Sequence, residues 1–306
     1  MIERWTIRFL LGIVLSGLLS ANAATWQTLE GAHFRVHYDR DVRDAQRVLR
    51  LAEELYANIA EKLPLPGDAP VDIWLTYTPE AFASLRKTPI RGWEQGYAIP
   101  SERKIVLRMP EGPGRIEALE QLTRHEVAHA SLGLLTGGRV ETVPHWFHEG
   151  FAMYVSEPWT LWHEATLFGA AIFRRTIPLD DLRDGFPSDG YDAKIAYAVS
   201  FGAVRSLVFD YSFSQFRTLI ERIAEGEPFE EAFTAVFGVT PEMFAFDWQR
   251  SATRRFEWLG LIGGLAALGA LFTPILLFGY VRRRRERRQA LDAWAREEEK
   301  PDAFFR

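Results

Sequence analysis

The chain has 306 residues, 47% apolar and 25% charged, an ordinary balance for a globular protein with material for a sizeable core. Cysteine is absent, which excludes disulfides, thiolate metal sites and cysteine nucleophiles, so any metal must be held by His, Asp or Glu. The net charge is −5; residues 1–23 carry +1 and residues 282–306 carry +3, and subtracting both leaves −9 for the middle, which argues against a nucleic-acid partner.

At the start, Arg4 and Arg8 precede an apolar run from Phe9 to Leu19, followed by the small-x-small site Ala21-Asn22-Ala23. Basic, apolar and small residues in that order predict a secretory signal peptide over residues 1–23. From His33 to Tyr38 the chain alternates, Phe34, Val36 and Tyr38 against His33, Arg35 and His37, which predicts a half-buried strand with both histidines on its solvated face. Asp41 to Lys62 carries Val48, Leu49, Ala52, Leu55 and Ile59 at helical spacing, and Pro64 and Pro66 end that helix. Val71 to Tyr77 alternates as a second strand, Pro79 to Leu85 forms a short helix or turn, and Lys104 to Met109 a further strand.

Arg115 to Thr136 is the strongest helix, free of Pro and Gly until Gly133 and closed by Gly137-Gly138. It contains His125-Glu126-Val127-Ala128-His129. Residues four apart lie one above the other on a helix, so both imidazoles can reach one metal ion with Glu126 beside them. Pro144 opens a second helix through Tyr154. Downstream, helices are expected over Leu161–Arg174, Ala193–Asp210, Ser212–Ile223, Pro228–Phe237 and Pro241–Arg250. Trp258 to Val281 is then an uncharged run of 24 residues with Trp258 and Tyr280 near its ends, followed by Arg282, Arg283, Arg284, Arg285, Arg287 and Arg288. That pattern predicts a membrane helix over residues 256–281 with a cytoplasmic basic tail, 282–306. Residues 24–255 are then an exported domain on the outer side of a bacterial cytoplasmic membrane, periplasmic or extracellular.

A catalytic zinc takes three protein ligands and leaves one position open for water. The metzincin spacing is excluded, because Leu132 and Leu135 stand where it needs Gly and His. Glu149, 20 residues beyond His129 on the next helix, is the candidate third ligand. His145 shares a helix face with Glu149, whereas His148 is turned about 100° from it. Zinc lowers the pKa of water towards 7, and Glu126 is placed to take its proton. His163 and Glu164 read as surface or cleft residues, and Ser200 as a plain helix residue.

His-Glu-x-x-His followed by Pro144-His145-Trp146-Phe147-His148-Glu149-Gly150-Phe151-Ala152 resembles the gluzincins, and within them the peptidase-MA-like family. Ala32-His33-Phe34-Arg35-Val36-His37-Tyr38 resembles that family's first strand, and Gly226-Glu227-Pro228-Phe229-Glu230-Glu231-Ala232-Phe233 its late helix. The resemblance implies an α+β, thermolysin-like metallopeptidase fold: a small mixed sheet, an active-site helix and a C-terminal helical half. It implies one Zn²⁺ ion held by His125, His129 and Glu149, with a peptide or protein as substrate. It also implies an oxyanion donor on a downstream helix, which maps to Tyr197, with Tyr191 as the alternate. Aminopeptidase relatives carry Asn where this chain has His148, and thermolysin-like relatives carry Asp where it has Met153, so the residues supporting the two histidines are unassigned. The rival expectation is a catalytically silent, membrane-tethered binding or assembly factor that keeps the peptidase fold.

Overall fold

The structure, a computed structural model, describes residues 26–67, 69–86, 95–188, 190–251, 254, 272–285 and 287–288. The expected signal peptide and residues 256–271 of the expected membrane helix lie outside the described residues, as do residues 289–306 of the tail. Residues 272–285 are helical, with Phe272, Ile275, Leu276, Phe278 and Tyr280 exposed. Among the described residues, no helix is long and apolar enough to cross a membrane.

The first half is a five-stranded mixed sheet with helices on both faces, a short helix covering only part of one. Strands β1 (Gln27–Glu30), β2 (Phe34–Tyr38), β3 (Val71–Thr76), β4 (Gly96–Ile99) and β5 (Lys104–Arg108) lie in the order β1-β2-β3-β5-β4. β2, β3 and β5 run parallel, in the register Val36–Ile73–Ile105, and the two outer strands run antiparallel. Period-two alternation puts Phe34, Val36, Val71, Ile73, Leu75, Ile105 and Leu107 on one buried face. Helix α1 (Val42–Ala60) covers that face. Asp41 caps its N-terminus by accepting the Arg43 N–H at 2.8 Å, and Val48, Leu51, Ala52, Leu55 and Ile59 form its buried stripe.

The opposite face of the sheet differs from the solvated strand face the alternation predicts. His37 is half-buried, stacked on Trp74 and bonded to Asp72 at 2.9 Å and Thr28 at 3.0 Å, and His33 contacts Glu53 at 2.7 Å. Both histidines are tied to carboxylates brought from other elements. Farther along, short helix α2 (Pro79–Ser84) drops Phe82 onto Tyr97 and Val106 to make a second small core.

Helix α3 (Arg115–Leu135) crosses beneath β4 and is buried along most of its second half. Thr136 and the left-handed Gly137 and Gly138 end it; the Gly138 N–H bonds back to the Gly133 carbonyl at 2.8 Å. The second half is helical: α4 (His145–Ser156), α5 (Leu161–Ile172), α6 (Gly190–Ser206), α7 (Phe213–Glu225) and α8 (Phe229–Phe237), with residues 241–251 also helical. Where one helix to Asp210 is expected, α6 ends at Ser206 and continues as a π turn, Leu207–Tyr211. Helix α4 joins the halves. Trp146, Phe147 and Phe151 point away from α3 into an aromatic core with Phe216, Phe229 and Phe244, at ring separations of 5.3–6.4 Å. Each such side chain contributes about 1.5–3 kcal/mol on full burial.

Candidate metal centre

Two helices meet at the site and each brings a different ligand type. On α3, the four-residue spacing stacks His125 above His129, with their Nε2 atoms 3.0 Å apart. From α4, Glu149 Oε2 lies 3.4 Å from His125 Nε2 and 3.5 Å from His129 Nε2. Glu149 can reach them because α4 packs closely on α6: a Cβ at Gly150 would stand 2.3 Å from the Ser200 carbonyl oxygen, a contact only glycine permits. The N-terminus of α4 is fixed by Pro144 and by the His145 N–H donating to the Arg183 carbonyl at 2.8 Å.

The donor atoms match a zinc site. Ligands about 2.0–2.1 Å from a tetrahedral ion lie roughly 3.3 Å from one another, against the 3.0, 3.4 and 3.5 Å found. Glu149 Oε2 is buried without a hydrogen-bond partner among the described residues, an arrangement that is costly unless something positive sits against it. Electrostatics agree in direction. Burial alone lowers the His125 pKa, yet the adjacent Glu149 carboxylate and the charge of Glu126 raise it to about 9. Burial pushes the Glu149 carboxyl up, but His129 and His125 together hold it well below the usual range.

Glu126 is 5% exposed and sits under β4. A Cβ at Gly96 would stand 2.8 Å from Glu126 Oε1, 2.9 Å from its Cγ and 2.8 Å from Leu122 Cδ1, so glycine alone lets the strand rest on this carboxylate. Tyr197, on α6, places its ring 6.3 Å from that of His125. Tyr191, the alternate, instead lies under the Arg175 guanidinium at 5.0 Å, with its hydroxyl 3.8 Å from where a Gly169 side chain would begin.

The remaining histidines separate cleanly. His145 Nε2 is 3.6 Å from Glu149 Oε1, and its ring meets Phe186 at 4.8 Å. Phe186 also meets Tyr197 at 4.9 Å, forming one wall beside the metal ligands. The His148 ring stacks on that of His129 at 4.2 Å and 24°. Burial and the neighbouring His129 hold its pKa well below the ordinary value. That stack supports His129, whose Nδ1 is buried with no hydrogen-bond partner among the described residues. His163, expected at the surface or in the cleft, is buried: its Nδ1 accepts the Thr160 N–H at 3.1 Å in a capping box at the start of α5. Glu164 accepts the Trp159 indole N–H at 3.0 Å. Ser200 is buried in α6.

Gly96, Phe186 and the His148 stack escape a reading of the motifs. A glycine heading a short strand signals close backbone approach, and that signal was present at Gly96. An apolar cavity of about 290 Å³ lined by Phe151, Tyr154, Trp159, Phe201 and Phe216 lies elsewhere, and none of the three converging side chains lines it.

A two-histidine, one-carboxylate donor set between two helices, on an α+β fold, could hold a metal ion. The sequence profile of the Peptidase MA superfamily matches residues 52–254, well over half of the chain, and the chain belongs to that superfamily. No curated protein matches it. Among solved structures, it is similar to the M1 zinc metallopeptidase from Deinococcus radiodurans, at 16% identity and a TM-score of 0.39, over 74% of this chain and 51% of that one. A point mutant of the same enzyme gives 16% identity and a TM-score of 0.40, over 73% and 51%. The chain thus spans about half the length of both.

Proposed function

We propose that the chain is a membrane-anchored zinc peptidase that hydrolyses peptide bonds outside the cytoplasmic membrane. The observation that carries this reading is the convergence of His125 Nε2, His129 Nε2 and Glu149 Oε2 within 3.0–3.5 Å of one another, with Glu126 on the same helix. One zinc ion held by these three atoms supplies Lewis-acid polarisation of a carbonyl and a water whose pKa approaches 7.

The chain's own side chains supply the rest. Glu126 accepts the proton of the attacking water and returns it to the leaving amine. Glu126 is 5% exposed, and Gly96 of β4 lies directly against it. Tyr197, whose ring lies 6.3 Å from that of His125, is the candidate donor to the developing oxyanion. Among the described residues β4 pairs only with β5, so an extended peptide can add along its other edge and lie over Glu126.

The address follows from the ends of the chain. The signal-peptide pattern of residues 1–23, the uncharged run of 24 residues and the six arginines after it support export and a single C-terminal tether. The exposed apolar side chains on helical residues 272–281 are consistent with that tether.

The test uses the full chain purified in detergent. Bound zinc is measured, and wild type is compared with Glu126→Gln on a mixed peptide library; that change keeps the ligands and removes the base. Wild type should cleave and the variant should lose about 10²–10⁴-fold in rate with zinc retained. Equal cleavage by both sinks the role of Glu126. Absence of cleavage by either, with zinc bound, favours the tethered binding factor. Glu149→Ala should strip the metal, and full zinc in that variant would show that another group is the third ligand.

A further inference from the structure

Helix α4 carries more metal-binding chemistry than one zinc ion uses. His145, His148 and Glu149 stand at i, i+3 and i+4, the spacings that bring helix side chains together on one side. A ring nitrogen of His145, a ring nitrogen of His148 and a Glu149 oxygen all lie within 4.8 Å of one another, as do the donors of His125, His129 and Glu149. The two oxygens of Glu149 divide between these sets: Oε2 faces His125 and His129 at 3.4 and 3.5 Å, and Oε1 faces His145 at 3.6 Å. His148 Nε2 is buried without a hydrogen-bond partner among the described residues.

We propose that the chain binds a second transition-metal ion at His145 and His148, with Glu149 as the carboxylate shared between the two ions. The proposal rests on the reading of His125, His129 and Glu149 as the first metal site. Imidazole nitrogens with one carboxylate oxygen select ions of the zinc, cobalt, nickel and copper class over magnesium or calcium, which prefer oxygen ligands. The position is accessible, since the His145 side chain is 36% exposed. The second ion binds more weakly than the first, because it shares Glu149 with the first and approaches a site already carrying positive charge.

The test is metal stoichiometry of the full chain in detergent, stripped with chelator and equilibrated against buffered free Zn²⁺, then repeated with Co²⁺. Wild type should bind two ions per chain in two steps. His145→Ala and His148→Ala should each bind one, in the tighter step. His145→Gln provides a milder variant at the half-exposed end of the helix, where loss of the ring leaves the fold intact, and it too should bind one. Saturation of wild type at one ion overturns the second site and leaves the first standing. Binding of none overturns both. Two ions retained in His145→Ala and His145→Gln place the extra ion elsewhere and overturn the proposal.

Discussion

Replacing Gly96 by alanine should separate catalysis from metal binding and from folding. The added Cβ would lie 2.8 Å from Glu126 Oε1, 2.9 Å from Glu126 Cγ and 2.8 Å from Leu122 Cδ1, where ordinary contact begins at 3.4 Å, so these atoms must retreat by about 0.6 Å. All three belong to flexible side chains. The strand can stay in register while Glu126 swings aside, and the stability cost should be about 1 kcal/mol, at the low end for overpacking. Catalysis has no such slack: a misplacement near 1 Å costs on the order of 10²-fold in rate. A fall in kcat/KM of roughly ten- to a hundred-fold is expected, about 1.4–2.7 kcal/mol of transition-state stabilisation. Zinc content should be unchanged, since neither histidine nor Glu149 is touched. The assay is kcat/KM on any peptide the wild type cleaves, with bound zinc and thermal melting measured on the same samples. Gly133→Ala, on the same helix as Glu126, is the control: it drives a Cβ to 2.1 Å from the Cβ of Pro100, in the turn after β4, so it should lower the melting temperature more and leave the activity of each folded molecule intact. Full activity in Gly96→Ala, or equal loss of activity in both variants, would refute the placement of Gly96 over the base.

Tyr197→Phe keeps the ring beside His125 and Phe186 but removes the hydroxyl, so kcat should fall about 10²–10³-fold with KM and zinc content unchanged; unchanged kcat would remove this tyrosine from the mechanism. Gly150→Ala places a Cβ 2.3 Å from a backbone oxygen and 2.7 Å from Val204 Cγ2, and backbone cannot rotate away. It should cost about 1–3 kcal/mol or more in a denaturant or thermal melt and, by shifting Glu149, also weaken zinc binding. The metal-free protein should respond to pH through His125. Its folded pKa, raised to about 9, lies above the unfolded value near 6.5, so its contribution is full below about pH 6.5 and is lost as pH rises through 9. At about 1.4 kcal/mol per pKa unit the loss is at most about 3 kcal/mol. Melting of the chelator-treated chain should therefore drop over that window, whereas zinc, which needs the deprotonated ring, should bind more tightly over the same window.

The elements whose own residues dictate them were legible in the chain. Helix α1 shows its apolar stripe and ends ahead of Pro64, α3 shows its uninterrupted span and its Gly137-Gly138 stop, and α4 begins where Pro144 demands. The outer strands were not. β1 reads Gln-Thr-Leu-Glu and is defined by its pairing with β2; β4 opens on a glycine and is defined by β5 on one side and Glu126 on the other. The same limit explains the histidines. Alternation predicts one solvated face for His33 and His37, but His37 packs on Trp74 and Asp72 of β3 whereas His33 meets Glu53 and Tyr56 of α1; Asp72 and Glu53 come from 35 and 20 residues away, so the contacts are tertiary facts. The pairing of His125 with His129, half of the candidate metal centre, is local helical geometry. The other half, Glu149, is implied by likeness to a family; no local rule brings a residue 20 positions on to 3.5 Å from His129.

That half depends on how α4 reconciles three demands within twelve residues. Phe147 and Phe151 must enter an aromatic core, Gly150 must let the helix backbone settle onto α6, and Glu149 must hold a buried charge towards α3. At about 100° per residue, Phe147 and Phe151 share one face and Glu149 projects from roughly the opposite one, with Gly150 about 100° from Glu149, so the carboxylate does not compete with the aromatic rings. A carboxylate that is 7% exposed is expensive to bury without partners; the α3 histidines meet its Oε2 at 3.4 and 3.5 Å, and His145 of α4 meets its Oε1 at 3.6 Å. The aromatic contacts therefore do more than stabilise the helical half. They hold Glu149 against the histidines, and a metal bound by these three would meet a ligand set fixed in advance, losing less conformational entropy than one assembled by the ion. The helix that most resembles ordinary core is thus the one that sets the geometry of the site.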